Sequence, residues 1–281
     1  MAKAAVDGIQ LDYRERGEGT PLLFIHGTGA HGVVFEPCVE QLPAGYRSIV
    51  YDRRGYGATG GAPAKRFGDQ ATDAAALIRH LDIAPVTVIA VSGAGPIALQ
   101  LALANPELVR GLVLGEPAFQ IAMIPDPGTL AANTAVNVDW LVRRNPEAAA
   151  TRFYHWATAR SNGSNQFDEY PAEWREPALG HARTALRELM QLAAPRPSAK
   201  AVREIKCPVT LLIGDVGQPV FHKTTRRLER ALADPTVVEI ADAAHILSTD
   251  QPAAFARAVA EAAPTPAADA AASEAGASKA G

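Results

Sequence analysis

One serine stands where chemistry is easiest to build. The β-branched run Val86-Thr87-Val88-Ile89-Ala90-Val91 leads straight into Ser92-Gly93-Ala94-Gly95-Pro96. A proline is harmless at the first helical position, so this reads as a buried strand turning sharply into a helix. A serine on such a turn is held in a strained backbone conformation with its hydroxyl projecting, the posture of a nucleophile. The positions two residues either side must be small for strand and helix to cross, and Ala90 and Ala94 meet that need. The formal Gly-x-Ser-x-Gly pattern is missed at both flanks while its steric requirement is satisfied. The competing structural reading is a glycine-rich turn with an incidental serine.

Upstream, His26-Gly27-Thr28-Gly29 follows the apolar run ending at Ile25. Such a turn lets backbone amides point into a site, and together with the Gly93 amide at the head of the next helix it offers a cradle for a developing oxyanion. His26 reads as a hydrogen-bonded anchor of that turn rather than as a base.

The elements that must hold these groups follow from the rhythm of the chain. Short apolar runs at Ile9 to Tyr13, Pro21 to Ile25, Ser48 to Tyr51, Val86 to Val91, Gly111 to Leu114, Val209 to Ile213 and Val237 to Ile240 predict strands. Helical patterns between them fall at Phe35 to Leu42, Asp69 to Leu81, Pro96 to Ala104, Lys223 to Ala233 and Pro252 to Ala262. This alternation predicts an α/β fold, a mostly parallel sheet with helices on both faces. The rhythm breaks between Leu114 and Val209, where Leu130 to Val142, Pro146 to Ala159 and Glu176 to Ala193 read as helices. The expected organisation is therefore a core of residues 1–116 and 207–262, a helical insertion at 117–206 acting as a lid, and a disordered tail at 263–281. That tail has no large apolar residue with which to offset its ordering entropy. Trp140, Trp156 and Trp174 all lie in the insertion with Phe153, Tyr154 and Tyr170, and Trp140, Trp156 and Tyr154 are expected to line a substrate pocket beneath it.

Composition removes several function classes. Lys and Arg number 27 against 30 Asp and Glu, a net charge of −3 with both signs interspersed, which leaves no basic stripe for nucleic acid. Cys38 and Cys207 have no metal-ligand spacing and read as small buried apolar residues of a reducing compartment. The N-terminus turns polar before a signal-peptide core forms, so a cytoplasmic location is expected. Residues 83–106 are uncharged and long enough to span a bilayer on paper, but Pro85, Pro96 and the Ser92 to Gly95 interruption argue for strand, turn and helix instead, and no membrane association is expected.

Taken together, His26-Gly27-Thr28-Gly29, Tyr51-Asp52-Arg53-Arg54-Gly55-Tyr56-Gly57, the run from Ser92 to Leu114, and His245 after the strand Val237 to Ile240 resemble the α/β-hydrolase superfamily over about residues 4 to 262. The resemblance implies Ser92 as nucleophile and His245, among seven histidines, as its base. It also implies Thr28 or Gly27, with Gly93, as oxyanion donors, Thr28 being favoured because in related enzymes that amide follows His-Gly. The acid departs from the usual pattern. Where Gly-x-x-Asp commonly follows the strand Val209 to Ile213, this chain reads Gly214-Asp215-Val216-Gly217. Some haloalkane dehalogenases carry the acid after the preceding strand, and there this chain has Glu116, which leaves Glu116 as the expected acid and Asp215 as the alternative. The implied activity is a serine hydrolase cleaving an ester or lactone of a small molecule without cofactor or metal, as a monomer or homodimer. Two alternatives share the fold: a carbon-carbon bond hydrolase or perhydrolase using the same groups, and a non-catalytic protein that binds a small molecule beneath the lid.

Overall fold

A computed structural model of the chain describes residues 2–192 and 197–263. Among them, one eight-stranded sheet runs in the order β1-β2-β4-β3-β5-β6-β7-β8. Its strands are β1 (Ala2–Val6), β2 (Ile9–Arg16), β3 (Thr20–Ile25), β4 (Tyr46–Tyr51), β5 (Val86–Val91), β6 (Val109–Gly115), β7 (Val209–Gly214) and β8 (Pro235–Ile240). From β4 to β8 all neighbours are parallel, while β1, β2 and β4 pair antiparallel at one edge. The expected α/β architecture is present, with β1 added to it. Asp7 and Gly8, both at positive φ, close a two-residue hairpin that sets Val6 opposite Ile9.

The strands feed two apolar layers by simple alternation. Leu23 and Ile25 of β3 face a cluster containing Ala74 and Ile78 of α1 (Phe67–His80) and Leu99 of α2 (Gly95–Ala104). Leu22 and Phe24 face the opposite cluster, with Phe35, Cys38 and Phe255. A strand buried on both faces reads as a near-continuous apolar run, as β5 does with Thr87 its one polar residue. Cys38 is buried as expected; Cys207 is only half-buried.

Between β6 and β7 the chain leaves the sheet for the helical insertion. It contains α3 (Pro127–Asn137), a wider turn over Val138–Val142, α4 (Pro146–Ala157), α5 (Ala172–Gly180) and α6 (Ala182–Leu192). The single helix expected from Glu176 onward is thus two, broken at Gly180 and His181. The insertion has its own apolar centre around Val136, Phe153, Phe167 and Leu186, and it shares Phe221 with α7 (Pro219–Ala231). The last core helix, α8, spans Pro252–Ala262. The expected tail at 263–281 lies, after Ala263, outside the described residues.

Candidate active site

The strand order brings the ends of β5, β6, β7 and β8 side by side, and the candidate residues sit at or just beyond those ends. Ser92 follows β5 with φ of +54°, and Glu116 follows β6 with φ of +40°. Left-handed backbone costs a residue with a Cβ about 1–2 kcal/mol, so both positions are held there by their surroundings. The holding groups are visible. The Ala118 amide donates to the Ser92 carbonyl at 2.9 Å, and the Glu116 amide donates to the Leu212 carbonyl at 3.0 Å. Gly95 permits the crossing, since a Cβ there would fall 2.4 Å from the Pro117 Cβ.

Side chains from the segments after β5, β6 and β8 then meet. Ser92 Oγ lies 2.8 Å from His245 Nε2, and His245 Nδ1 lies 2.8 Å from Glu116 Oε2. A carboxylate can only accept, so Nδ1 carries the hydrogen and Nε2 is left free to accept from the serine hydroxyl. The second Glu116 oxygen accepts from the Gly214 amide at 3.1 Å, and the carboxylate is wholly buried. His245 is itself buried and stacks on Phe221, with ring centroids 3.4 Å apart and planes 12° apart. Asp215, the alternative acid, is exposed. A Cβ at Gly217 would lie 3.4 Å from the His245 backbone nitrogen, so this position borders the histidine but carries no side chain.

The turn after β3 packs directly on this serine. A Cβ at Gly27 would approach the Ser92 Cβ to 3.0 Å, and a Cβ at Gly93 would collide with Thr28 Oγ1 at 2.1 Å. Gly27, Thr28 and Gly93 are therefore brought together around Ser92. His26 is an anchor: its Nδ1 donates to the Gly27 carbonyl at 2.9 Å and its Nε2 accepts from the Arg53 amide at 3.0 Å. Burial, reinforced by the Arg53 charge, holds its pKa well below the usual histidine range, so it stays neutral.

Two cavities flank Ser92. The larger, about 320 Å³, is lined mainly by apolar and aromatic side chains including Trp140, Phe153, Trp156, Leu186 and Leu189. The smaller, about 50 Å³, reaches Gly27, His31, Tyr154, Trp174 and His245. Trp140 and Trp156 thus border the larger space and Tyr154 the smaller one, where its hydroxyl is already committed to the Ala178 carbonyl at 2.9 Å. A more open groove of about 560 Å³ lies on α4 and involves none of these residues. Among the described residues, no group of three or more His, Cys, Asp or Glu is arranged to hold a metal ion. None of their helices is long and apolar enough to cross a membrane.

Sequence reasoning missed the acidic residue nearest the turn. Glu188 of α6 is buried beneath the Gly27-Thr28 segment and accepts from Thr28 Oγ1 at 2.6 Å, from the Tyr56 hydroxyl at 2.8 Å and from Arg53 at 3.0 and 3.1 Å. Arg53 and Tyr56 belong to a motif already singled out, but their partner comes from the insertion, where no local pattern marks it. Phe221 was missed too: it opens α7, ahead of the helix expected from Lys223, and no local pattern points it at the histidine.

The arrangement supplies an activated hydroxyl, a proton acceptor oriented by a carboxylate, and backbone amides beside them. That combination suits acyl transfer.

The putative non-heme bromoperoxidase BpoC of Mycobacterium tuberculosis (strain ATCC 25618 / H37Rv) is 44% identical over 110 residues, 38% of this chain and 41% of that protein. This chain thus aligns with only about two-fifths of the length of that curated relative. The crystal structure of BpoC superposes with a TM-score of 0.69 at 28% identity, covering 90% of this chain and 94% of that one. A thermophilic esterase from Thermogutta terrifontis superposes with a TM-score of 0.73 at 25% identity, covering 92% and 95%. The model of the alpha/beta hydrolase family matches residues 22–258, from β3 through most of α8 and including every residue of the Ser92 cluster, and this chain belongs to that family.

Proposed function

We infer that this protein is a serine hydrolase that cleaves an ester or lactone through an acyl-enzyme on Ser92. The observation that carries the reading is the unbroken relay from Ser92 Oγ through His245 to Glu116. In this mechanism Ser92 attacks the carbonyl carbon while His245 Nε2 takes its proton. Glu116 holds the ring and stabilises the imidazolium, and the amides of Gly93 and Thr28 receive the oxyanion. His245 then returns the proton to the leaving oxygen, and a water activated by the same nitrogen releases the acid. Resemblance to a thermophilic esterase supports this reading.

The unequal cavities support a substrate shape. His245 must reach the leaving oxygen, and the smaller cavity is the one His245 lines. The alcohol portion would occupy that space, which suits a group of roughly two or three heavy atoms. The acyl portion would extend into the larger apolar cavity. Short-alcohol esters of apolar acids are the class this favours.

Labelling with a fluorophosphonate, followed by peptide mass analysis, tests the reading. One equivalent should appear on Ser92, and Ser92→Ala should lose on the order of 10⁴ to 10⁶ in turnover while remaining folded. Ester hydrolysis within about tenfold of wild type in that variant would reject a serine nucleophile, and an unlabelled wild type would favour a non-catalytic binding role. A second reading, perhydrolysis, is favoured by the name of the relative BpoC. It needs only hydrogen peroxide in place of water as acceptor from the acyl-enzyme, giving a peracid. Peracid formed from a carboxylic ester and peroxide, measured against hydrolysis in the same sample, separates the two.

A further inference from the structure

The Gly27-Thr28 peptide is gripped from its carbonyl side. Gly27 O accepts from Arg53 Nη2 at 2.9 Å, from His26 Nδ1 at 2.9 Å and from the Ala30 amide at 3.3 Å. A trans peptide is planar, with its C=O and the following N–H pointing in opposite directions. Fixing the Gly27 carbonyl against Arg53 therefore fixes the direction of the Thr28 amide on the far side.

What fixes Arg53 is a carboxylate from the lid. Glu188 meets both terminal nitrogens of the guanidinium and is saturated by further donors: Thr28 Oγ1, the Tyr56 hydroxyl and Gln70 Nε2 at 3.4 Å. Gln70 in turn accepts from Arg53 Nη1. Glu188 is 4% exposed and Arg53 1%, so neither charge has water to fall back on. Such a pair is poor support for stability compared with apolar packing of the same volume, but its two-point geometry imposes an orientation. Glu188 also holds the Thr28 side chain directly, 160 positions away in sequence.

We propose that Glu188 is a positioning residue for the oxyanion hole: through Arg53 and Thr28 it orients the Gly27-Thr28 peptide so that the Thr28 amide faces the oxygen on which charge develops. The proposal rests on the serine-hydrolase reading above. It makes a helix of the lid part of the machinery that stabilises the transition state, in addition to its part in enclosing substrate.

The test uses the full chain, a 4-nitrophenyl ester, and an arylboronic acid whose tetrahedral adduct on Ser92 places an oxygen in the hole. Removing one oxyanion donor typically costs 10² to 10³ in kcat, so misdirecting one should cost about 10- to 100-fold. Glu188→Gln, nearly isosteric, should lower kcat by that factor with KM within about threefold, and boronate affinity should fall in parallel with kcat. Because Glu188→Gln leaves Arg53 buried without a counter-charge, the double variant Arg53→Met with Glu188→Leu is the second arm. Replacing both charges by apolar groups preserves packing, so it should fold and still show the same loss. A folded double variant with kcat and boronate affinity within about threefold of wild type would overturn the proposal. Fluorophosphonate labelling of the wild-type Ser92, run first, separates this outcome from failure of the underlying reading, which would remove the label altogether.

Discussion

Glu116 Oε2 lies 2.8 Å from His245 Nδ1, across 129 positions of sequence and from the end of β6 rather than β7. The imidazole thus draws its carboxylate from the strand beside the one that bears the serine. Glu116→Gln should lower kcat by up to about 10⁴ with KM little changed, since the amide can still bond the ring but favours the wrong tautomer and cannot stabilise an imidazolium. Asp215→Asn should stay within about threefold, because Asp215 faces solvent. Steady-state kinetics of both on one activated ester check this; a crippled Asp215→Asn with an active Glu116→Gln would move the acid to the β7 end.

Gly217 borders the same histidine from the other side, 3.4 Å from its backbone nitrogen measured from where a Cβ would stand. Its φ is not in the left-handed region, so a side chain is tolerated there. In a Glu116→Gln background, Gly217→Asp is expected to recover at least about tenfold in kcat by presenting a carboxylate to the ring from the end of β7. No recovery in a folded double variant would show that the ring is committed to the β6 side.

The backbone at Ser92 predicts a stability difference unrelated to its hydroxyl. Ser92→Gly and Ser92→Ala both delete the nucleophile, yet only glycine accepts φ of +54° without a Cβ penalty. The glycine variant should be more stable than the alanine variant by about 1 kcal/mol, or roughly 2–4 °C in melting temperature for a chain of this size. Equal melting temperatures would mean that the elbow is not strained.

Acid should destabilise the fold through His26. Its folded pKa lies well below 6.5 because of burial and the Arg53 charge, so below pH 6.5 the unfolded chain binds the extra proton first. Stability is therefore level above that pH and falls beneath it by up to about 1.4 kcal/mol per pH unit for this one group. Burial also lowers the pKa of His31 and His181, which act in the same direction. Denaturant melts from pH 8 to 5 should show this slope, and a flat profile would contradict a neutral buried His26.

The strands and the serine turn were legible because each is a local pattern. β5 is an apolar run, and the Ala90 and Ala94 spacing follows from one steric requirement. The first strand was not, since Ala-Lys-Ala-Ala-Val has a single β-branched residue, Val6; the clue was Asp7-Gly8, a hairpin dipeptide that precedes the strand expected at Ile9 to Tyr13. The helix expected over Glu176 to Ala193 breaks at Gly180, where periodicity alone runs on. Trp140 and Trp156 were placed in the pocket by size and location, whereas Glu188 looked like one more charge on an amphipathic helix. Only the fold reveals that it turns inward to meet Arg53.

That buried pair limits how the protein can be recombined. Inserted helices in one loop invite wholesale exchange as a route to new specificity, but a graft with no carboxylate at the place of Glu188 would leave Arg53 without its counter-charge. Stranding one member of a buried pair costs about 3–5 kcal/mol, a large share of a domain's net stability. A chimera therefore has to bring a carboxylate to the place of Glu188 or discharge Arg53 as well. Redesign confined to the wall of the larger cavity, at Trp140, Trp156 or Leu189, leaves that joint intact.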